Sequence, residues 1–181
     1  MAENGRIIQI NIIDRYGLLR RVMVRLVRED CFCDVMVTKV DFYSGATDKW
    51  LVACRLSAKA VQHATSMIIY IPDANLLRQF DKLLWTFSPI SFVPHCRIED
   101  SAASKTPVIL SERSDESEWI RHYEIMLNLH NDIPPHYKQF QRVIEIVGIE
   151  PEDREAARAR YRFYQEQGLS VHHHRLDRNQ E

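Results

Sequence analysis

From Val37 onward, short apolar runs alternate with amphipathic stretches. Thr38 to Tyr43 predicts a strand. Asp48 then opens a helix whose apolar face is Trp50, Leu51, Cys54, Ala58 and Val61. Met67 to Ile71 is a short continuous apolar run, as in a strand buried on both faces. Pro72 stops it, and Asp73 is placed to cap a second helix with Leu76, Leu77, Phe80, Leu83 and Leu84 on one side. Ser88-Pro89 ends that helix. A strand-helix-strand-helix series of this kind predicts a mostly parallel sheet with helices on both faces.

The middle of the chain is less regular. Phe92 to His95 is apolar but contains Pro94, which suits a loop or a sheet edge. Residues 98–105 and 111–118 read as polar loops, with a short strand over Pro107–Leu110 between them. Ile125 to Leu129 is another strand. After Pro134-Pro135, the spacing of Tyr137, Phe140, Ile144 and Val147 predicts a helix ended by Gly148. The last helix is the plainest. Pro151 suits a first turn, Glu152 and Asp153 favour the positive end of the helix dipole, and Gly168 terminates it. Leu169 to Leu176 follows as an edge strand.

Residues 1–35 differ from the rest, with six arginines and no lysine. Ile7 to Ile13 is β-like. Leu18, Leu19, Val22, Met23 and Leu26 fall at helical spacing among Arg20, Arg21, Arg25 and Arg28, which predicts a basic amphipathic helix. The expected organisation is a leader over 1–35, from a non-native start or poorly ordered, one α/β domain over 36–176, and a polar tail over 177–181. Met36 is the expected functional start.

Composition narrows the function classes. The net charge is −1, so bulk charge does not make this a polyanion binder, and any anionic partner must meet a local patch. There are five glycines, at 5, 17, 45, 148 and 168, too dispersed for a glycine-rich phosphate loop. Cys31 and Cys33 lack a second ligand pair, and Cys54 sits on an apolar helix face. His172, His173 and His174 in an extended segment point alternately to opposite faces and do not converge on one ion. No metal or cofactor is expected. No stretch reaches membrane-span length, the start is not a secretory signal, and a cytoplasmic protein with reduced thiols is expected. No serine lies in a nucleophile elbow, and no catalytic residue stands out.

The final helix is different. Arg154, Arg158, Tyr161, Arg162 and Gln165 share one face, cationic and aromatic at once. That face reads either as solvated surface with snorkelling arginines or as a docking site for an acidic chain. Trp85 and Phe92 are aromatics that would complete a pocket beside it if exposed, and would be core if buried.

Leu84-Trp85, then Ser91-Phe92-Val93-Pro94-His95, then Ala157-Arg158-Ala159-Arg160-Tyr161-Arg162-Phe163-Tyr164 with Gly168, resemble the chi subunit of bacterial DNA polymerase III, as does the early Asp41-Phe42-Tyr43. The likeness runs from about Met36 to the C-terminus. It implies a Rossmann-like domain without nucleotide binding, and a non-catalytic accessory subunit. Its implied partners are the psi subunit, which links it to the clamp loader, and the acidic C-terminal tail of single-stranded DNA-binding protein. DNA contact is mainly indirect. The implied tail-binding residues are Trp85, Phe92, Val147, Arg158, Tyr161 and Arg162. Arg162 stands where the family often has lysine, and Gln165 where a basic residue can occur. The psi surface should be an apolar patch away from the last helix. The alternatives are a stand-alone α/β enzyme with an unrecognised site, or a direct nucleic-acid binder.

Overall fold

A computed structural model describes residues 6–13, 19–26, 38–89, 92–113 and 124–176. The chain divides into two compact units, Met1–Val35 and Met36–Glu181.

In the first unit, β1 (Arg6–Ile13) and β2 (Leu19–Leu26) pair antiparallel, from Arg6 opposite Leu26 to Ile13 opposite Leu19. The helix expected around residues 18–28 is therefore a strand. Val22, Val24 and Leu26 fit a two-residue alternation as well as the neighbouring positions fit a helical one, and the isoleucine-rich β1 supplies the pairing that decides.

The second unit is one seven-stranded sheet. Its strands are β3 (Lys39–Ala46), β4 (Met67–Tyr70), β5 (His95–Arg97), β6 (Val108–Ser111), β7 (Ile125–Asn128), β8 (Arg142–Gly148) and β9 (Ser170–Arg175). They lie in the order β5-β6-β4-β7-β8-β3-β9, with every pairing parallel. Among the described residues three helices cover the sheet: α1 (Lys49–Gln62), α2 (Ala74–Thr86) and α3 (Pro151–Glu166). The expected α/β class, with a parallel sheet between helices, is the observed one.

Period-two alternation sorts the strands' side chains onto two cores. Met67, Ile69, Val108, Leu110, Ile125, Leu127, Ile144 and Ile146 pack with α1 and α2 through Cys54, Leu77, Phe80 and Leu84. Val40, Phe42, Ile68, Ile109, Met126, Val143 and Val147 pack on the opposite face with Ala157 and Tyr164 of α3. Both predicted aspartate caps form. Asp48 Oδ1 accepts from the Trp50 and Leu51 amides at 2.9 and 3.0 Å, and Asp73 Oδ1 from Asn75 and Leu76 at 2.7 and 3.0 Å.

Two expectations change. The most buried side of α1 is Val52, Ala53, Cys54, Ser57 and Ala60, while Trp50, Leu51, Ala58 and Val61 are half-buried at its margins. The helix expected from Tyr137 to Val147 is a short 3-10 turn at Tyr137–Gln139 followed by β8. Gly148 is thus the end of a strand rather than a helix cap. Val143-Ile144-Glu145-Ile146-Val147 is a β-rich run buried on both faces between β7 and β3, and that position overrides the helical spacing.

Candidate functional site

The carboxyl ends of β3, β8 and β9 meet the α3 side of the sheet at a groove of about 420 Å³. Parallel α/β sheets place ligands at this end of their strands. Phe42, Ser44 and Gly45 come from β3, Val147 and Gly148 from β8, Arg154, Ala157, Arg158 and Tyr161 from α3, and His173 and Arg175 from β9.

The start of α3 is tied to the strand ends beneath it. Asp153, in its first turn, accepts the Gly148 amide at 2.6 Å through Oδ2 and the Lys49 ammonium at 3.2 Å through Oδ1. A Cβ at position 148 would stand 3.0 Å from that carboxylate, so glycine permits the approach. Gly45 has φ +88, a left-handed conformation, at the point where the β3–β8 register shifts between Ser44 and Ala46.

The underside of α3 carries a buried polar network. Arg160 Nε donates to Glu145 Oε2 at 3.0 Å, Tyr164 Oη to Glu145 Oε1 at 2.9 Å, and Asn128 Nδ2 to both carboxylate oxygens at 3.1 and 3.2 Å. Arg160 also donates to the Asn131 carbonyl at 2.6 Å. Arg160 and Glu145 are fully inside the protein. Burial pushes the Glu145 carboxyl above its usual value, with Arg160, Asn128 and Tyr164 pulling the other way. Burial, with the Glu145 charge, also pushes the Tyr164 phenol up. This network fixes the rotation of α3 about its axis, so that Arg154, Arg158 and Arg162 stay exposed above.

Tyr161 is half-buried and packs edge-on against Phe42, with ring centroids 5.3 Å apart. Its hydroxyl accepts from Gln165 at 3.3 Å. Phe42, Val147, Ala157 and the Tyr161 ring give the groove an apolar floor. Arg154, Arg158 and Arg175 stand around it, and among the described residues no carboxylate lines it. Arg162 lies one position beyond Tyr161 on the exposed surface, where its Nε donates to the Arg158 carbonyl at 3.4 Å. Such a site attracts anions and offers apolar contact at the same place.

Trp85 and Phe92 are elsewhere. Both are exposed, at 57% and 65%. Their rings lie 5.5 Å apart, and Trp85 also packs on His95 at 5.0 Å. His95 begins β5, at the far edge of the sheet from β9. From β5 to β8 there are four strand spacings, about 19 Å, and α2 lies on the sheet face opposite α3. The structure therefore brings together Val147, Arg158 and Tyr161, with Arg162 beside them. The expectation that Trp85 and Phe92 wall the same slot is corrected: sequence shows that they are aromatic and near a turn, not which sheet edge they occupy.

The histidines of β9 alternate as expected. His173 Nε2 is 2.8 Å from Ser44 Oγ on the groove side, whereas His174 Nε2 is 2.8 Å from Asp41 Oδ1 on the other. Phe42, Ser44, His173 and Arg175 were not legible as groove residues, since only the pairing of β9 with β3 places them there. Cys31 and Cys33 lie outside the described residues. Cys54 is buried, its thiol pushed up to about 12 by burial and by Asp48, as befits a core residue. Among the described residues no helix is long and apolar enough to cross a membrane.

Residues 37–172 match the family model described as DNA polymerase III chi subunit, HolC. The chain belongs to the chi family. It is similar to the DNA polymerase III subunit chi of Pseudomonas aeruginosa, at 34% identity over 146 residues, covering 78% of this chain and 99% of that protein. It is also similar to the chi subunit of Haemophilus influenzae, at 25% identity over 120 residues, covering 66% of this chain and 82% of that protein. Chi is an accessory, non-catalytic subunit of the DNA polymerase III complex.

Proposed function

We propose that this chi-family chain is a cytoplasmic adaptor with two docking surfaces. The α3 groove takes the acidic C-terminal tail of single-stranded DNA-binding protein, and the Trp85–Phe92 patch takes psi, the link to the clamp loader. The observation that carries the first assignment is a groove with an apolar floor, lined among the described residues by three arginines and no carboxylate. A tail ending in aspartate, proline and phenylalanine with a free carboxylate has the complementary chemistry. Its ring meets Val147, Phe42 and Tyr161, and its carboxylates meet Arg158 and Arg162. For psi, the support is an exposed aromatic pair on the opposite sheet edge from α3, the kind of surface that protein partners cover.

The two surfaces do not overlap, so both partners can be held at once. A short acidic peptide binds with affinity that falls as salt rises. A tetrameric binding protein on DNA raises the effective strength by offering several tails.

The test is titration of a labelled tail peptide by fluorescence anisotropy. Arg158→Ala is expected to cost about 1.5–3 kcal/mol of binding, the range for hydrogen bonds to charged groups. Unchanged affinity would remove Arg158 from the site. Binding of bare single-stranded DNA in preference to the peptide would replace this reading with direct nucleic-acid binding.

A further inference from the structure

The groove has a second cationic wall that the arginine helix does not supply. On β9, His173 and Arg175 are two residues apart, so both side chains point to the α3 side of the sheet. Both are exposed, both line the groove, and β9 is the outermost of the described strands. Among the described residues, Arg175 has no carboxylate within ion-pair distance, and neither do Arg154 and Arg158 across the groove.

We infer that β9 is part of the peptide site: Arg175 and His173 bind carboxylates of the acidic chain upstream of its apolar end, while α3 holds that end. The inference rests on the groove being a peptide site, as proposed above, and adds to it a direction and a second set of contacts. The argument is charge complementarity over length. The apolar floor is at Phe42, Val147, Ala157 and Tyr161, and the groove continues from there past Ser44 and Gly45 to the end of β9. A single terminal residue fills the floor. The remainder accommodates further chain, and its polar lining of arginine, histidine and serine selects acidic side chains over apolar ones.

His173 gives the wall a signature. Its ring nitrogen meets Ser44, and the described residues that line the groove with it are Ser44 and Phe42 from β3, Val147 and Gly148 from β8, Arg154, Arg158 and Tyr161 from α3, and Arg175 on its own strand. None is a carboxylate. An acidic chain lying there brings negative charge that the described lining does not supply, which favours the imidazolium over the neutral ring. Binding therefore takes up a proton, and affinity rises as pH falls from 7.5 to 6.0.

The experiment titrates the full chain with the tail peptide, and with a second peptide whose upstream acidic residues are serines, at pH 7.5 and 6.0 in low salt. Arg175→Ala is expected to weaken the acidic peptide by about three- to fivefold, the scale of an exposed ion pair, and to leave the serine peptide unchanged. His173→Gln should abolish the tightening at pH 6.0. Thermal unfolding of both variants should match that of the unaltered chain, because these side chains are exposed. If both variants bind like the unaltered chain while Arg158→Ala binds weakly, β9 is not part of the site and the α3 reading stands. If the unaltered chain binds neither peptide, the peptide reading of the groove fails and this inference fails with it. If oligothymidylate binds instead and Arg175→Ala weakens it, the wall serves nucleic acid and the inference is overturned.

Discussion

Single residues carry the most expensive commitments in this fold. Glu145 and Arg160 form an ion pair at 3.0 Å with both partners fully buried. Removing one partner of such a pair leaves the other charge inside without compensation, at a cost of about 3–5 kcal/mol. Glu145→Ala is therefore expected to lower stability on that scale in urea unfolding. The double change Glu145→Leu with Arg160→Met is expected to recover much of the loss, because apolar replacement of the whole pair removes the desolvation cost too. If Glu145→Ala is neutral, the network does not hold α3 in place.

Asp41 gives the pH dependence. Burial works against its carboxylate, but hydrogen bonds from His174 and Arg142 and their positive charges prevail and hold its pKa below the usual carboxylate value. A carboxyl depressed in the folded state stabilises the fold above its unfolded value, near about 3.9, and that stability is lost as pH falls through the lower folded value. Asp41→Asn should thus flatten the decline in stability below about pH 4, measured by unfolding at successive pH values. A decline as steep as that of the unaltered chain would contradict this. Cys54, with its thiol at about 12, is expected to resist alkylation at pH 8 in the folded protein and to react only after unfolding.

At the level of elements, α2 and α3 were legible because their signals are local. Asp73 caps the first, Pro151 opens the second, and Gly168, with φ +74, follows its end. β8 was not legible, because Tyr137, Phe140, Ile144 and Val147 match a helical period and only the sheet decides otherwise. β2 is the same conflict, resolved by β1. The arginine face of α3 could be read from residues three and four apart on one helix. The groove could not, since its other walls come from three strands, one of them more than a hundred residues earlier in the chain, that only the sheet pairing brings together. Trp85 and Phe92 were recognisable as a pair but not as a separate surface. Trp85→Ala is accordingly expected to leave tail-peptide affinity unchanged and to abolish capture of psi in a pull-down. Loss of peptide affinity in this variant would merge the two surfaces.

For the whole molecule, both cores and all seven parallel strands lie within residues 39–175, and the hairpin forms its own unit. Residues 36–181 produced alone are expected to unfold in one cooperative transition and to bind the tail peptide as the full chain does. A broadened transition or lost binding would assign the first 35 residues a role in the fold. The sheet also separates the proposed contacts, with the aromatic patch at the β5 edge and the groove near the β9 edge.

That separation makes one spectrum decisive. Adding tail peptide to isotopically labelled protein and following two-dimensional NMR shifts reads both surfaces at once. The account predicts shifts at the amides of Phe42, Ser44, Val147, Arg158 and Tyr161, with the Trp85 indole resonance unmoved. Shifts gathered at Trp85 and Phe92, with the α3 groove silent, would contradict it.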